Sequence, residues 1–281
     1  TDPLANTTNF TYEPIFNKVT SITDPLTHKT LYDYDDSGNL IKVTDAQGNI
    51  ITYTYDTSGN LTSLTDANSH LTQYNYDSNG NLTEIIAPLS NVTKFTYDLL
   101  GNCTQITDAK DNSTSFTYDA LNRLTQITYP GSTKITYTYD EVGNRASIVD
   151  PKGNTTFYYY DGVNRLIDVT DALGNHTNYA YDTEGNRVAV TDANRNTTRY
   201  FYDSLNRLIE VTTPLLERTQ FSYDPAGNRI ITIDANGNTI RYSYDANNRL
   251  TQITYPDNSK VSFTYDSTGK RLSMADSQGV T

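Results

Sequence analysis

The stretch Tyr55-Asp56-Thr57-Ser58-Gly59-Asn60 recurs along the chain and sets its period. A Tyr-Asp pair begins twelve times, every 21 residues without a slip, from Tyr34 to Tyr265. An imperfect unit precedes them, in which Tyr12-Glu13 stands 22 residues before Tyr34. A strict period of this length is typical of a repeat protein, whose units pack on their neighbours. Repeat positions are counted from the tyrosine of each pair, which is position 0.

Each Tyr-Asp pair opens a predicted turn. Position 4 is Gly or Asn in all twelve repeats, and these residues tolerate a left-handed backbone. The aspartate at position 1 suits the first position of a type I turn, because its carboxylate can accept hydrogen bonds from nearby amides. Positions 1 to 4 therefore predict a type I turn closed by a left-handed residue, as in a hairpin. The residues of this structural motif are Tyr34, Asp35, Gly38, Tyr55, Asp56, Gly59, Tyr76, Asp77, Gly80, Tyr97, Asp98, Gly101, Tyr118, Asp119, Asn122, Tyr139, Asp140, Gly143, Tyr160, Asp161, Asn164, Tyr181, Asp182, Gly185, Tyr202, Asp203, Asn206, Tyr223, Asp224, Gly227, Tyr244, Asp245, Asn248, Tyr265, Asp266 and Gly269.

A second turn is predicted half a repeat later. Position 11 is Asp in eight repeats, and position 12 is Pro in the other four. Both residues favour turns, and Pro argues against a continuous central strand. The runs between turns are rich in Tyr, Thr, Ile, Val and Phe, which favour strands. Two strands in each repeat give roughly 25 strands of about six residues.

Apolar rows mark these strands. Position 19 is always aromatic, and position 9 is aliphatic or Met in every repeat except at Thr232. Positions 6 and 9 have opposite parity, which leaves open a β-bulge or two half-buried faces. A meander and a solenoid both fit the period, and the paired turns favour an antiparallel meander. Because strand twist accumulates, the all-β array is expected to curl into a spiral, a hollow shell or a wide barrel.

The amino-acid composition argues against several classes of function. The formal net charge of −12 and the pI of about 4.6 argue against nucleic-acid binding through phosphates. The sequence has no apolar run long enough to insert into a membrane and no signal peptide. The single cysteine, Cys103, is interpreted as a small buried hydrophobic residue, so disulfides do not hold the fold. We expect residues 1–281 to form one array of about 13 repeats, cut from a longer protein.

The sequence predicts no catalytic, cofactor or metal site. His28, His70 and His176 are isolated from one another in sequence, and no catalytic triad or metal-ligand spacing emerges. The stretch that begins at Asp33 opens like an EF-hand loop, but Thr44 stands where a bidentate Glu is required. Calcium at acidic turns therefore remains a hypothesis beside the preferred interpretation of turn-capping carboxylates. A motif repeated twelve times is interpreted as structural rather than catalytic.

The full motif is Tyr-Asp-x-x-Gly-Asn-[Leu/Arg]-x-x-[Ile/Val]-Thr-Asp-x-x-Gly-Asn-x-Thr-x-[Tyr/Phe]-x-Tyr-Asp. It closely resembles the YD repeats of Rhs proteins, of the BC components of insecticidal Tc toxin complexes and of teneurins. The resemblance runs from Tyr12 to the end of the chain. It implies a β-sheet strip that spirals into a hollow shell. In bacterial members the shell encloses a variable C-terminal toxin, and in teneurins a related shell serves cell adhesion.

One family feature differs here. Bacterial members carry a self-cleavage segment around Asp-Pro-x-Gly-Leu, whereas the nearest stretch here is Asp224-Pro225-Ala226-Gly227-Asn228, in the ordinary repeat frame. We therefore assign no protease residues and expect a non-enzymatic shell segment of a secreted or cell-surface bacterial protein. Its expected partner is a C-terminal toxin or effector domain outside this chain. The alternatives are an extracellular adhesion or glycan-binding array and a tube or fibre of copies of the chain.

Overall fold

A computed structural model describes residues 8–267, 269–276 and 279–280, the last two by their backbone only. These residues form β-strands joined by short turns, with single 3-10 turns at Pro88–Ser90 and Pro130–Ser132. The strands are β1 (Asn9–Tyr12), β2 (Val19–Thr23), β3 (Lys29–Tyr34), β4 (Leu40–Thr44), β5 (Ile50–Tyr55), β6 (Leu61–Thr65), β7 (Leu71–Tyr76), β8 (Leu82–Ala87), β9 (Asn91–Tyr97), β10 (Cys103–Thr107), β11 (Ser113–Tyr118), β12 (Leu124–Thr128), β13 (Lys134–Tyr139), β14 (Arg145–Val149), β15 (Thr155–Tyr160), β16 (Leu166–Thr170), β17 (His176–Tyr181), β18 (Arg187–Thr191), β19 (Thr197–Tyr202), β20 (Leu208–Thr212), β21 (Arg218–Tyr223), β22 (Arg229–Ile233), β23 (Thr239–Tyr244), β24 (Leu250–Thr254), β25 (Lys260–Tyr265), β26 (Arg271–Asp276) and β27 (Gly279–Val280).

The chain divides into two compact units, Thr1–Thr138 with Val149–Gly153 and Tyr139–Ile148 with Asn154–Thr281. Within the first unit, each strand from β1 to β12 pairs antiparallel with the next strand in sequence. Within the second, β15 to β26 do the same. This antiparallel pairing confirms the predicted all-β meander.

The strand register shows that a β-bulge explains the opposite parity of positions 6 and 9. In the hairpin of β5 and β6, Tyr53 lies opposite Leu64 and Thr54 opposite Ser63, but Tyr55 lies opposite Leu61. The strand β6 therefore holds one extra residue, Thr62, in a β-bulge. The same shift recurs at the equivalent point of the other Tyr-Asp hairpins, for example in β17–β18 and β19–β20. A bulge between positions 6 and 8 brings positions 6 and 9 onto one face.

Directly opposed residues share a face, so the register defines two faces. The face with positions 0, 6, 9, 17 and 19 carries both tyrosine rows together with the aliphatic row; we call it the tyrosine face. The opposite face, which we call the polar face, carries positions 8, 10, 16, 18 and 20. In β7 the burial of side chains alternates accordingly, since Tyr74 and Tyr76 are half-buried whereas Gln73 and Asn75 are exposed.

Among the described residues, no apolar side chain is fully buried. The side chains that are mostly buried there are small and polar, namely Ser21, Ser147 and Thr212. The tyrosine face is therefore shielded mainly by contacts between side chains of neighbouring strands. Stabilisation in such a sheet depends on cross-strand pairs and hydrogen bonds within the layer.

The turn residues adopt the predicted backbone conformation. Position 4 has a positive φ in all twelve repeats, from 60° at Asn122, Asn206 and Asn248 to 100° at Gly143. In the turn of Asp56, the amide of Gly59 donates to the Asp56 carbonyl at 3.1 Å, and the Asp56 amide donates to the Asn60 carbonyl at 3.0 Å. These bonds close the hairpin and confirm the left-handed residue that ends each Tyr-Asp turn.

The second turns use the same geometry with less suitable residues. Arg195 and Leu216 stand at position 14 with φ of 66° and 65°, a conformation that costs an ordinary residue about 1–2 kcal/mol. We expect Leu216→Asn to raise the free energy of unfolding by about 1 kcal/mol, because Asn tolerates this conformation. Leu216 is 78% exposed, so its side chain contributes little packing. Urea denaturation followed by circular dichroism measures the change.

The matched control for Leu216 is its neighbour Leu215, which is 80% exposed but is not among the residues with a positive φ. Leu215→Asn should leave the urea midpoint nearly unchanged. Equal stabilisation by both substitutions would show that removal of an exposed apolar side chain, rather than relief of backbone strain, is the cause.

Candidate functional site: the tyrosine and aspartate rows

The tyrosines at position 0 tie each repeat to the one before it. Eleven of these hydroxyls donate a hydrogen bond of 2.8–3.1 Å to the carbonyl of the residue 15 positions earlier, which is position 6 of the preceding repeat. That acceptor flanks the β-bulge, where the regular ladder of backbone hydrogen bonds is interrupted. The donors are Tyr34, Tyr55, Tyr76, Tyr97, Tyr118, Tyr160, Tyr181, Tyr202, Tyr223, Tyr244 and Tyr265.

This bond explains why the two aromatic rows differ in composition. Position 0 is tyrosine in all twelve repeats, whereas position 19 is phenylalanine in four of them. At position 0 the hydroxyl has a backbone acceptor, so phenylalanine would leave a carbonyl without its donor. At position 19 the ring suffices, because it packs beside the aliphatic residue at position 9 of the opposite strand.

The hydroxyls at position 0 lie in a partly desolvated setting. Burial raises the pKa of Tyr55, and the nearby Tyr53 and Asp35 raise it further. The neutral hydroxyl is therefore the form present near neutral pH, and it can donate to the Leu40 carbonyl at 3.0 Å. These neutral hydroxyls act as hydrogen-bond donors, and we assign the position 0 tyrosines no role as a base.

The aspartates at position 1 organise the turns. One carboxylate oxygen of Asp56, Oδ1, accepts from the backbone amides of Ser58 and Asn60, each at 2.9 Å. The other, Oδ2, accepts from the Asn60 side-chain amide at 3.0 Å. These bonds, led by that of the Asn60 side chain, hold the pKa of the Asp56 carboxyl below its ordinary value. Because this carboxylate already accepts hydrogen bonds within its own turn, it is less available to bind a ligand.

Position 5 links neighbouring repeats in two alternating ways. Where the next repeat has Asn at position 4, the position 5 asparagine donates to it, as Asn186 does to Asn206 at 2.9 Å. The arginines Arg165, Arg207 and Arg249 each span two repeats: Arg207 Nε donates to Asp203 at 2.7 Å, and its Nη1 donates to the Asp224 carbonyl at 3.1 Å. The Arg207 guanidinium also lies 4.9 Å from the centre of the Tyr223 ring.

The sequence carried a signal for this linkage, because Asn-Arg and Gly-Asn alternate at positions 4 and 5 from Gly101 to Asn248. Composition and spacing alone did not assign these residues a role. The equivalent arginines are Arg123, Arg165, Arg207 and Arg249.

The histidines remain separate in the structure. His28, His70 and His176 each lie within 2.8–3.0 Å of one aspartate, and each histidine side chain is 58% exposed. Within the described ranges, no group of three or more His, Cys, Asp or Glu residues could hold a metal ion. The described part of the chain also contains no helix that is long and apolar enough to cross a membrane.

A shallow cavity of about 820 Å³ lies in the second unit. Its lining includes Phe201 and Arg199 from β19, Ala189 from β18, and the turn residues Asp182 and Asp203. Both of these aspartates already cap their own turns. The arrangement contains no nucleophile paired with a base, so it provides no catalytic constellation.

Cys103 is half-buried at position 6, and desolvation raises the pKa of its thiol. Because the thiolate is the reactive form, we expect slow alkylation by iodoacetamide at pH 8 in the folded protein and fast alkylation in urea. Mass spectrometry of quenched samples measures both rates. Equal rates in the two conditions would contradict this placement of the thiol.

Comparison with known proteins matches this geometry. The model of the teneurin YD-shell family covers residues 5–162, and the model of the RHS repeat matches residues 160–197, 181–217, 202–239, 223–260 and 244–281. Among solved structures, the crystal structure of TcdB2-TccC3-TEV aligns with a TM-score of 0.53 and 15% identity, over 96% of this chain and 20% of that one. The crystal structure of TcdB2-TccC3 without its hypervariable C-terminal region aligns with a TM-score of 0.49 and 16% identity, over 89% of this chain and 18% of that one. The Tc holotoxin pore of Photorhabdus luminescens aligns with a TM-score of 0.43 and 15% identity, over 96% of this chain and 21% of that one.

No curated protein sequence matches the chain. The chain spans about a fifth of the length of the solved structures to which it is similar. At 15–16% identity that similarity concerns the fold.

The register, the turns and the tyrosine bonds define a tyrosine–aspartate repeat strip, which is a structural scaffold. The chain belongs to the teneurin YD-shell family, and its C-terminal part consists of RHS repeats. The resemblance inferred from the motif is thereby confirmed.

Proposed function

We propose that this chain is a wall segment of a hollow β-shell that encloses a C-terminal effector of a secreted toxin or cell-surface protein. The observation that carries the proposal is the hydroxyl bond from eleven of the position 0 tyrosines to the preceding repeat. A wall one sheet thick has no second layer to hold its strands in register. Bonds that join successive hairpins supply that restraint within the layer.

The family and the neighbours support this function. YD-shell proteins are structural scaffolds, and the similar solved structures contain Tc toxin components. The side chains favour a scaffold as well, because the recurring aspartates and tyrosines bond to backbone groups. We therefore propose a non-enzymatic role, with residues 1–281 forming one repeat array within a longer, exported protein.

Encapsulation predicts protection from proteases. The protein encoded by the complete reading frame would be treated with trypsin, and the segment that follows the repeats would be monitored by immunoblot. An enclosed effector should resist digestion in the folded protein and become sensitive after the repeats are unfolded in urea. Digestion at the same rate as the isolated effector segment would contradict enclosure.

A second candidate is assembly of copies of the chain, which one feature favours. Position 3 of several Tyr-Asp turns is an apolar residue that is 67–72% exposed, and these residues are Leu100, Leu121, Val142, Val163 and Leu205. Sedimentation velocity over a range of concentrations separates the candidates. Growth into polymers through these turns would favour assembly, whereas a monomer at every concentration would favour the shell segment.

A further inference from the structure

Position 6 changes its chemistry in the second unit. In the first unit it is aliphatic or cysteine from Leu40 to Leu124, whereas in the second it alternates between leucine and arginine. The leucines are Leu166, Leu208 and Leu250. The arginines are Arg145, Arg187, Arg229 and Arg271, which we call the arginine row.

The arginine row lies on the tyrosine face and is exposed to solvent. Its guanidinium groups lie over aromatic rings: Arg145 is 4.8 Å from the centre of the Tyr158 ring, Arg187 is 5.3 Å from that of Tyr200, and Arg229 is 5.1 Å from that of Tyr242. Stacking on a ring leaves the donor edges of a guanidinium free for a carboxylate.

The arginine row differs from the position 5 arginines in its ion pairing. Arg123, Arg165, Arg207 and Arg249 at position 5 are each paired with an aspartate. By contrast, among the described residues no carboxylate lies within salt-bridge distance of the arginine row. The position 6 backbone is already engaged, since the carbonyls of Arg145, Arg187 and Arg229 accept tyrosine hydroxyls.

The two faces differ in acidic residues. From β15 to β25 the tyrosine face carries Tyr, Phe, Thr, Leu, Val and Ile besides the arginines, and none of its described strand residues is acidic. The polar face mixes both signs, since Asp168 and Glu210 share it with four cationic side chains. In a protein with a net charge of −12, the tyrosine face of the second unit thus combines arginines and aromatic rings without strand acids.

The spacing along the row suits an extended chain. Consecutive arginines are separated by four strands, which corresponds to about 19 Å across a sheet. An extended polypeptide covers that distance in about six residues. The intervening leucines offer no hydrogen bonds, so they match apolar side chains better than the hydroxyl-bearing rings of an acidic polysaccharide.

We propose that the arginine row and its aromatic rings bind an acidic, extended polypeptide segment that crosses the strands of the second unit. Glutamate or aspartate side chains of the segment pair with the exposed guanidinium groups, and its apolar side chains pack on the leucines between them. This interaction is independent of enclosure, because it requires only that the tyrosine face be accessible.

The test measures binding of fluorescent poly-L-glutamate by anisotropy at low ionic strength. The decisive variant, R145L/R187L/R229L/R271L, gives every repeat the leucine that alternate repeats already carry, so the fold has a natural precedent at each site. We expect affinity to fall about tenfold or more, since four exposed charge-assisted contacts are lost. The affinity of the unmodified chain should also fall as salt is added.

The matched control, R199Q/R218Q/R241Q/K260Q, removes four positive charges from the polar face of the same unit. It should bind poly-L-glutamate nearly as well as the unmodified chain. If the quadruple leucine variant fails to fold, the double variant R187L/R229L should still lose several-fold in affinity. Equal losses in variant and control, or no binding by the unmodified chain, would overturn the proposal. Equal or tighter binding of polygalacturonate would overturn the assignment to a polypeptide.

Discussion

Replacing Tyr181, Tyr223 and Tyr265 together by phenylalanine is expected to lower the free energy of unfolding by about 3 kcal/mol. Each substitution removes one hydroxyl donor from a backbone carbonyl, at 2.9, 2.8 and 2.8 Å, and a lost hydrogen bond costs about 1 kcal/mol. The three sites are separated by four strands each, about 19 Å, so their effects should add. Urea denaturation followed by circular dichroism gives the change directly.

The control for this triple variant uses the other aromatic row. Tyr179, Tyr200 and Tyr242 stand at position 19, where other repeats carry phenylalanine naturally. Changing these three to phenylalanine should shift the unfolding free energy by no more than about 0.5 kcal/mol per site. If both triple variants lose the same stability, the hydroxyl bonds at position 0 have no special role in joining the repeats.

The Tyr-Asp turns could be predicted from sequence because their chemistry is local. Asp at position 1 and Gly or Asn at position 4 together encode a turn that closes on itself. The hydrogen bonds of Asp56 and the positive φ of Gly59 follow from six consecutive residues. The meander was predictable for a related reason, since two such turns in every repeat leave only short strands between them.

At the second turns, the backbone preference of the individual residue does not determine the conformation. Nothing in Leu216 or Arg195 favours a left-handed backbone, yet both adopt one. Closure of each hairpin by the paired strands fixes this geometry, and an unfavourable residue is then tolerated at a cost of about 1–2 kcal/mol. Sequence could identify these turns through Pro214 or Asp192 but not their strain.

The partners of the tyrosine hydroxyls could not be predicted, because they depend on strand register. The acceptor lies 15 residues earlier, beside a bulge whose presence the parity of positions 6 and 9 left undecided. Once Tyr55 is known to oppose Leu61, positions 6 and 9 both fall on the face of the tyrosines. The role of Arg207 was hidden for the same reason, since its contacts reach into the next repeat.

Acidification below about pH 4 is expected to destabilise the protein. In eleven Tyr-Asp turns the pKa of the aspartate carboxyl lies below its ordinary value. In Asp119 the cause is first the backbone amide of Arg123, whose effect together with the side-chain and other turn bonds exceeds the opposing desolvation. A folded-state pKa below the unfolded value of about 3.9 means that the ionised carboxylate stabilises the fold above that pH.

That contribution should therefore be present at neutral pH and be lost as the pH falls through the depressed pKa values, below about 4. Because the same turn recurs in every repeat, small contributions accumulate, and the melting temperature should drop as the pH falls below about 4 and through the depressed pKa values. The variant D56N/D77N/D98N, which keeps an acceptor oxygen at each site, should be less stable than the unmodified chain at pH 7, and this difference should shrink over the same pH range. Asp36→Asn is the matched control, because the Asp36 side chain is exposed and, among the described residues, makes no hydrogen bond or ion pair. It should leave the melting temperature at pH 7 nearly unchanged. A melting temperature that stays constant from pH 7 down to about pH 2 would mean that turn capping by aspartate does not stabilise the repeat.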